Sequence, residues 1–211
     1  MKKNTWNDIW KKKSYFVESG PTTNVAYFYN YHLKSLNRNS KIIDCGCGNG
    51  RNYIFLKKKG FDVIGTDISE TVIKKNKKNF SKYKNKFLVG DIRNLKFNDN
   101  YFDALVSDAS LYYQSKKDIF ETVDEFYRIL KKNGIIRIYT KSNRDNFYFN
   151  HKREKSFEYK VKKKHWENGL LMTFLNFNDI KLLFKKFKRL QIGIDEFNYI
   201  NSKKKHSYWI I

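Results

Sequence analysis

Between residues 41 and 140, short apolar runs alternate with stretches of helical period, and this alternation constrains the fold more than any other feature of the chain. KIIDC (41–45), DVIGTD (62–67), KFLVGD (86–91), FDALVS (102–107) and IIRIYT (135–140) read as buried strands. Between them, 49–59, 69–80 and 118–131 carry apolar residues at helix spacing, with Val72 and Ile73 or Ile119, Val123 and Phe126 on one side. Ser69 predicts a helix start, and Gly60 and Asn133-Gly134 predict helix stops. Strands and helices taking turns mean βαβ units, hence an α/β fold with a Rossmann-like, doubly wound and mostly parallel sheet.

After residue 140 the pattern breaks. Residues 142–168 are polar, basic and aromatic without a clean period, and read as an insertion over the carboxyl edge of the sheet. LLMTFL (170–175) reads as a short strand within it, 178–187 as a helix, 189–197 as a strand and 206–211 as a final strand. With one proline, no repeat and no linker, the expectation is a single domain over 1–211. Its parts are an N-terminal helical cover (1–40), a ligand-binding core (41–140), a lid (142–168) and a C-terminal helix with strands (170–211). Trp6, Ile9, Trp10, Tyr15, Phe16 and Tyr27-Phe28-Tyr29 suit helices packed on the sheet, a cover over a ligand, or both.

Lys and Arg number 44 against 21 Asp and Glu, a formal charge of +23. That charge points to nucleic acid, but a second cause competes with it. Lys far outnumbers Arg, and Asn, Ile, Phe and Tyr are abundant while Ala and Pro are scarce, which reads as genome composition written onto tolerant surface positions. Bidentate phosphate recognition would favour Arg. No apolar run reaches membrane-spanning length and the start lacks an apolar leader, so the expected location is the cytoplasm. Cys45 and Cys47 cannot build a disulfide framework. With His32, His151, His165 and His206 scattered, no metal site is expected.

The chemistry concentrates at Asp44-Cys45-Gly46-Cys47-Gly48-Asn49-Gly50, a strand-to-helix turn. Alternate glycines let the backbone approach a ligand, and the helix that follows offers free N–H groups to an anion. Asp67 lies at the end of the second strand, where a carboxylate accepts from ribose hydroxyls. The spacing G-x-G-x-G differs from the dinucleotide fingerprint, and Arg51 stands where that fingerprint takes Gly or Ala.

At these residues the sequence resembles the class I S-adenosylmethionine-dependent methyltransferases, over about 41–140 with a compatible end to 211. IIDCGCGNG, VIGTDIS, VGDIRNLKF, YFDALVSDASLYY and LKKNGIIRI are similar, in order, to the motifs of that family. Where the family commonly has Pro-Gly-Gly, Lys132-Asn133-Gly134 keeps only the last glycine. The resemblance implies a seven-stranded sheet with an antiparallel final strand and S-adenosylmethionine as cofactor. It places Asp44, Gly46, Cys47, Gly48, Gly50 and Arg51 at the cofactor turn, Asp67 at the ribose and Ile68 beside the adenine. Asp91 would meet the adenine amino group, the backbone of Ile92 the ring, and the Ser107 carbonyl the cofactor's ammonium. Asp108, Tyr112 and Tyr113 fall near the transferring methyl and are the candidate catalytic residues. The expected activity is direct in-line methyl transfer to a small molecule. Methylation of transfer RNA and a non-catalytic cofactor-binding subunit are the alternatives.

Overall fold

The protein is described by a computed structural model covering residues 3–12, 20–148, 155–162, 166–198, 200 and 202–211. The chain enters through α1 (Lys3–Lys12) and α2 (Thr23–Phe28), the second running into a π-helical turn at Tyr29–Leu33. The core follows as β1 (Lys41–Cys45), α3 (Arg51–Lys58), β2 (Asp62–Asp67), α4 (Glu70–Asn79), β3 (Phe87–Val89), β4 (Phe102–Asp108), α5 (Lys116–Ile129) and β5 (Leu130–Lys141). The last third adds β6 (Phe157–Lys160), β7 (Leu171–Phe174), α6 (Phe177–Leu183), β8 (Gly193–Asn198) and β9 (Lys205–Ile210).

Seven strands form one sheet in the order β3-β2-β1-β4-β5-β9-β8. β1 to β5 are parallel, and β9 slots between β5 and β8, antiparallel to both. The chain winds outward from β1 through β2 and β3, then crosses back to β4 on the other side. That reversal opens a crevice beyond the carboxyl ends of β1 and β4, where ligands bind in open α/β sheets.

Both faces of the sheet are covered, as near-continuous apolar strands require. Ile42 of β1 packs with Val25, Tyr53, Leu56 and Val72, while Ile43 and Cys45 pack with Ile119, Val123, Phe126 and Ile180. β4 divides the same way, Ala104 and Val106 against Leu105, with the period of two that a strand dictates. Thus α2, α3 and α4 cover one face, and α5 and α6 the other.

Several elements differ from the sequence reading. The helix expected to close at Asn133-Gly134 ends at Ile129, and β5 begins at once. Between Phe102↔Leu130 and Ala104↔Ile135 the β5 side holds extra residues, so 131–134 bulge out of the ladder. A Cβ on Gly134 would lie 3.0 Å from the Lys131 carbonyl oxygen, which is why this crowded bulge takes glycine. The insertion is not without regular structure: β6 pairs antiparallel with β7 as a separate two-stranded sheet. The third strand is three residues long, α6 runs Phe177–Leu183, and the strand expected from 189 starts at Gly193. Tyr15, Phe16, Phe149, His151 and His165 lie outside the described residues. Among the described residues, no helix is long and apolar enough to cross a membrane.

Phe126 is fully buried where α5 meets the sheet. Phe126→Ala is expected to destabilise the protein by about 3–5 kcal/mol, the range for an emptied aromatic core position. Urea denaturation checks this; a loss below about 1 kcal/mol would show that α5 is not locked onto the sheet.

Candidate functional site

Three left-handed glycines shape the turn after β1, with φ of 74° at Gly46, 50° at Gly48 and 79° at Gly50. The turn is tied to the neighbouring strand: the N–H groups of Gly46 and Cys47 both donate to the Thr66 carbonyl, at 2.8 and 2.9 Å. A Cβ on Gly46 would lie 2.3 Å from Cβ of Ser110, so glycine here permits contact with the segment after β4. At Gly48 the same atom would meet the Trp10 indole at 3.2 Å. The space that the sequence reading left for a ligand at these Cβ positions is therefore filled by Ser110 and Trp10.

Asp67 ends β2 with its carboxylate folded back on the turn. One oxygen accepts from the Gly48 N–H at 3.1 Å and the other from the Ser69 N–H at 2.9 Å. Burial raises its pKa to about 6, opposed by these backbone donors. Ser69 caps α4 and donates to Asn7 at 2.8 Å, which docks α1 across the turn. Lys75 reinforces the docking by donating to the Trp10 carbonyl.

At the end of β4, Asp108 accepts from the Thr22 hydroxyl and from Asn52 at 3.3 Å, so the starts of α2 and α3 hold it. Ser107 is fully buried behind it, its hydroxyl 2.7 Å from that of Ser110, which in turn donates to the Cys45 carbonyl. The next turn, Leu111–Tyr113, carries both candidate tyrosines. Tyr112 donates to the Tyr113 hydroxyl at 3.3 Å, and Tyr113 donates to Glu167. Burial, with neighbouring acidic groups, pushes both phenols well above the ordinary range, so both remain protonated donors near neutrality.

These parts border one cavity of about 490 Å³. Gly46, Cys47, Gly48, Arg51, Asp67, Ile68, Ile92, Asp108, Tyr112 and Tyr113 line it, as the sequence reading grouped them. Four of the proposed residues do not reach its wall. Asp44 sits behind the turn, and Gly50 caps α3 against Phe80. Ser107 lies beneath Ser110. Asp91 turns outward, paired with Arg93 at 2.6 Å, and Arg93 also reaches Asp118 at 2.9 Å. Gly90 and Ile92, on either side of it, border the cavity.

The cavity also recruits residues that the motifs did not reveal: Asn52, Glu167, His206 and Tyr208, besides Trp6, Trp10, Phe147, Tyr148 and Trp166 from the two aromatic covers. His206 and Tyr208 arrive because β9 pairs with β5, which a sequence cannot display as a motif. Behind them lies a buried ion pair, Lys141 to Asp145 at 2.6 Å. The Lys141 ammonium also lies 3.0 Å from Nδ1 of His206 and 3.9 Å from the centre of the Tyr208 ring. Nδ1 of His206 also faces the Asp145 carboxylate, at 3.5 Å.

Asp44 Oδ2 is buried with no hydrogen-bond partner among the described residues. Burial, with Asp108 and Asp67 adding repulsion and Arg51 opposing, raises its pKa to about 8. A folded value above the ordinary 3.8 favours the protonated acid, so its stabilisation is complete below about pH 4 and is lost as pH climbs through 8. Asp44→Asn is therefore expected to gain stability over the parent progressively from pH 5 to 8, by at most about 1.4 kcal/mol per pH unit. Urea denaturation without cofactor at both pH values measures the difference; a gap independent of pH would show that Asp44 is ionised throughout.

Comparison with known proteins agrees with this geometry. Residues 43–138 match the family described as a methyltransferase domain. The Bacillus subtilis protein YqeM is 37% identical over 105 residues, 48% of this chain and 42% of its own length. The tRNA (carboxymethyluridine(34)-5-O)-methyltransferase of Arabidopsis thaliana is 36% identical over 107 residues, 50% of this chain and 25% of its own length. This chain thus spans less than half the length of either curated relative. Among solved structures, a SAM-dependent methyltransferase from Anabaena variabilis superposes with a TM-score of 0.71 at 17% identity, covering 99% of this chain and 93% of that one. At that identity the likeness speaks for the fold alone. The methyltransferase-domain match over residues 43–138, within a seven-stranded sheet of this order, supports a class I S-adenosylmethionine-dependent methyltransferase with S-adenosylmethionine as cofactor.

Proposed function

We propose that this protein transfers the methyl group of S-adenosylmethionine to a small-molecule acceptor by direct in-line displacement. The observation that carries the reading is continuity: one cavity runs from the Asp67 carboxylate and the glycine turn to Tyr112, Tyr113 and Glu167. A cofactor at the turn and an acceptor among the aromatic rings would then share one continuous space. Trp6 and Trp10 of α1 and Phe147, Tyr148 and Trp166 of the insertion wall that space.

The residues present fit the cofactor. In this reading Asp67 takes the ribose hydroxyls, and each oxygen, already given one backbone N–H, keeps a further lone pair. Ile68 and Ile92 supply apolar walls for the adenine, and Arg51 a cation for the cofactor's carboxylate. The buried Asp44 Oδ2, without a hydrogen-bond partner among the described residues, suits a positive group behind the turn, together with the Ser107 carbonyl. When bound, S-adenosylmethionine supplies a methyl already activated on a sulfonium, so the chain's task is positioning and exclusion of water. Tyr112 and Tyr113 serve as protonated donors that shape the acceptor end, and Asp108 faces it.

A second reading, methylation of RNA, is favoured by the net charge of +23 and by the activity named for the Arabidopsis relative. Incubation with labelled S-adenosylmethionine and separate pools of metabolites, RNA and protein tests the two. Label is expected in the metabolite pool; label in one transfer-RNA species at physiological salt would overturn the small-molecule reading. RNA binding alone would not, since the charge by itself attracts polyanions.

Two further outcomes are expected. Asp67→Ala weakens S-adenosylhomocysteine by about 1.5–3 kcal/mol in calorimetry, the range for hydrogen bonds to a charged group. Unchanged affinity would remove Asp67 from the cofactor site. Replacing 149–165 by a short Gly/Ser linker keeps Asp145, whose loss would strand the buried Lys141 charge. That variant is expected to bind S-adenosylhomocysteine within about tenfold of the parent (1.4 kcal/mol) while its transfer rate falls far more. Transfer at the parental rate would show that the segment is no lid.

A further inference from the structure

The end of the cavity away from the glycine turn is built of aromatic rings around one carboxylate. Trp6 meets Tyr113 edge-on with ring centres 4.9 Å apart, and Tyr148, Trp166 and Tyr208 border the same space. Glu167 stands among them, only 4% exposed. Tyr113 donates to one of its oxygens and Tyr148 to the other, at 2.6 Å for the latter. Burial keeps both phenols protonated, so both orient the carboxylate rather than compete with it for protons.

Charge separates the possible acceptors. Asp108 and Glu167 both border the cavity. Arg51 lies at the glycine-turn end, close enough to act on Asp44, and Lys141 is already matched by Asp145. An anionic acceptor at the aromatic end would meet repulsion from Glu167, whereas a cation would meet its attraction and the negative faces of the rings. The chain itself uses one of these rings in that way: the Lys141 ammonium sits 3.9 Å from the centre of Tyr208. Among the described residues that line the cavity, Asp67, Asp108 and Glu167 stand against Arg51 and His206, a balance unlike the net charge of +23.

Building on the methyl-transfer reading, we infer that the acceptor is an amine that arrives as a cation, held by Glu167 among Tyr113, Tyr148 and Trp166. Before transfer the ammonium gives up one proton, which Glu167 is placed to receive. The freed nitrogen lone pair forms the N–C bond while the bond from the methyl to sulfur breaks, its electron pair staying on sulfur. The positive charge passes from sulfur to nitrogen.

Calorimetric titration with 2-phenylethylamine, 2-phenylethanol and 3-phenylpropionate, each in the presence of saturating S-adenosylhomocysteine, varies the head group on one body. The amine is expected to bind at least about tenfold more tightly than the alcohol, and the carboxylate most weakly. Glu167→Gln is expected to erase that preference while leaving the alcohol's affinity within about threefold. Retained S-adenosylhomocysteine affinity reports that the variant is folded. Trp166 is 49% exposed, so Trp166→Leu spares the core, and a loss of about threefold for the amine alone is expected. The inference is overturned if the alcohol or the carboxylate binds as tightly as the amine. It is equally overturned if a protein that binds S-adenosylhomocysteine binds none of the three, or if Glu167→Gln weakens amine and alcohol alike. Failure of the parent protein to bind S-adenosylhomocysteine would strike the methyl-transfer reading instead.

Discussion

The site depends on one carbonyl oxygen. Thr66 O accepts from both Gly46 and Cys47, which binds the turn after β1 to the end of β2. With the turn so tied, Gly48 can donate to Asp67, and Gly46 can press against Ser110 from the far side of β1. Three chain segments that meet nowhere in sequence are thereby brought to one edge of the sheet. The left-handed glycines are the condition for this, since a side chain at Gly46 would have to displace Ser110 and with it the segment leading to Tyr112 and Tyr113.

Around that edge the electrostatics run opposite to the composition. A chain with a net charge of +23 gathers Asp44, Asp67, Asp108 and Glu167 in or behind one cavity. Burial raises the pKa of Asp44 to about 8 and that of Asp67 to about 6, both above the ordinary carboxylate value.

The covers are held by polar contacts to the core rather than by helix propensity. α1 is docked through Asn7 to Ser69 and Lys75 to Trp10, on the same α4 that follows Asp67. The insertion is held by Asp145, which pairs with Lys141 and accepts from the Ser207 N–H. Both attachments lie within reach of the cavity, so closure of the site and stability of the covers share residues.

Sequence alone determined the alternating core, the glycine turn, the pairing of that turn with Asp67 and the residues after β4, because these rest on local period and on short-range turn chemistry. It also marked the aromatic covers by composition. It misjudged the end of α5, where the decisive fact was a bulge opposite Phe102, and it did not disclose the ion pair of Asp91 with Arg93. It did not disclose Glu167, His206 or Tyr208 as part of the site. Their place follows from β6 pairing with β7 and from β9 entering between β5 and β8. Long-range strand pairing leaves no periodic trace at the residues it brings together, so only the tertiary structure decided which side chains border the far end of the cavity.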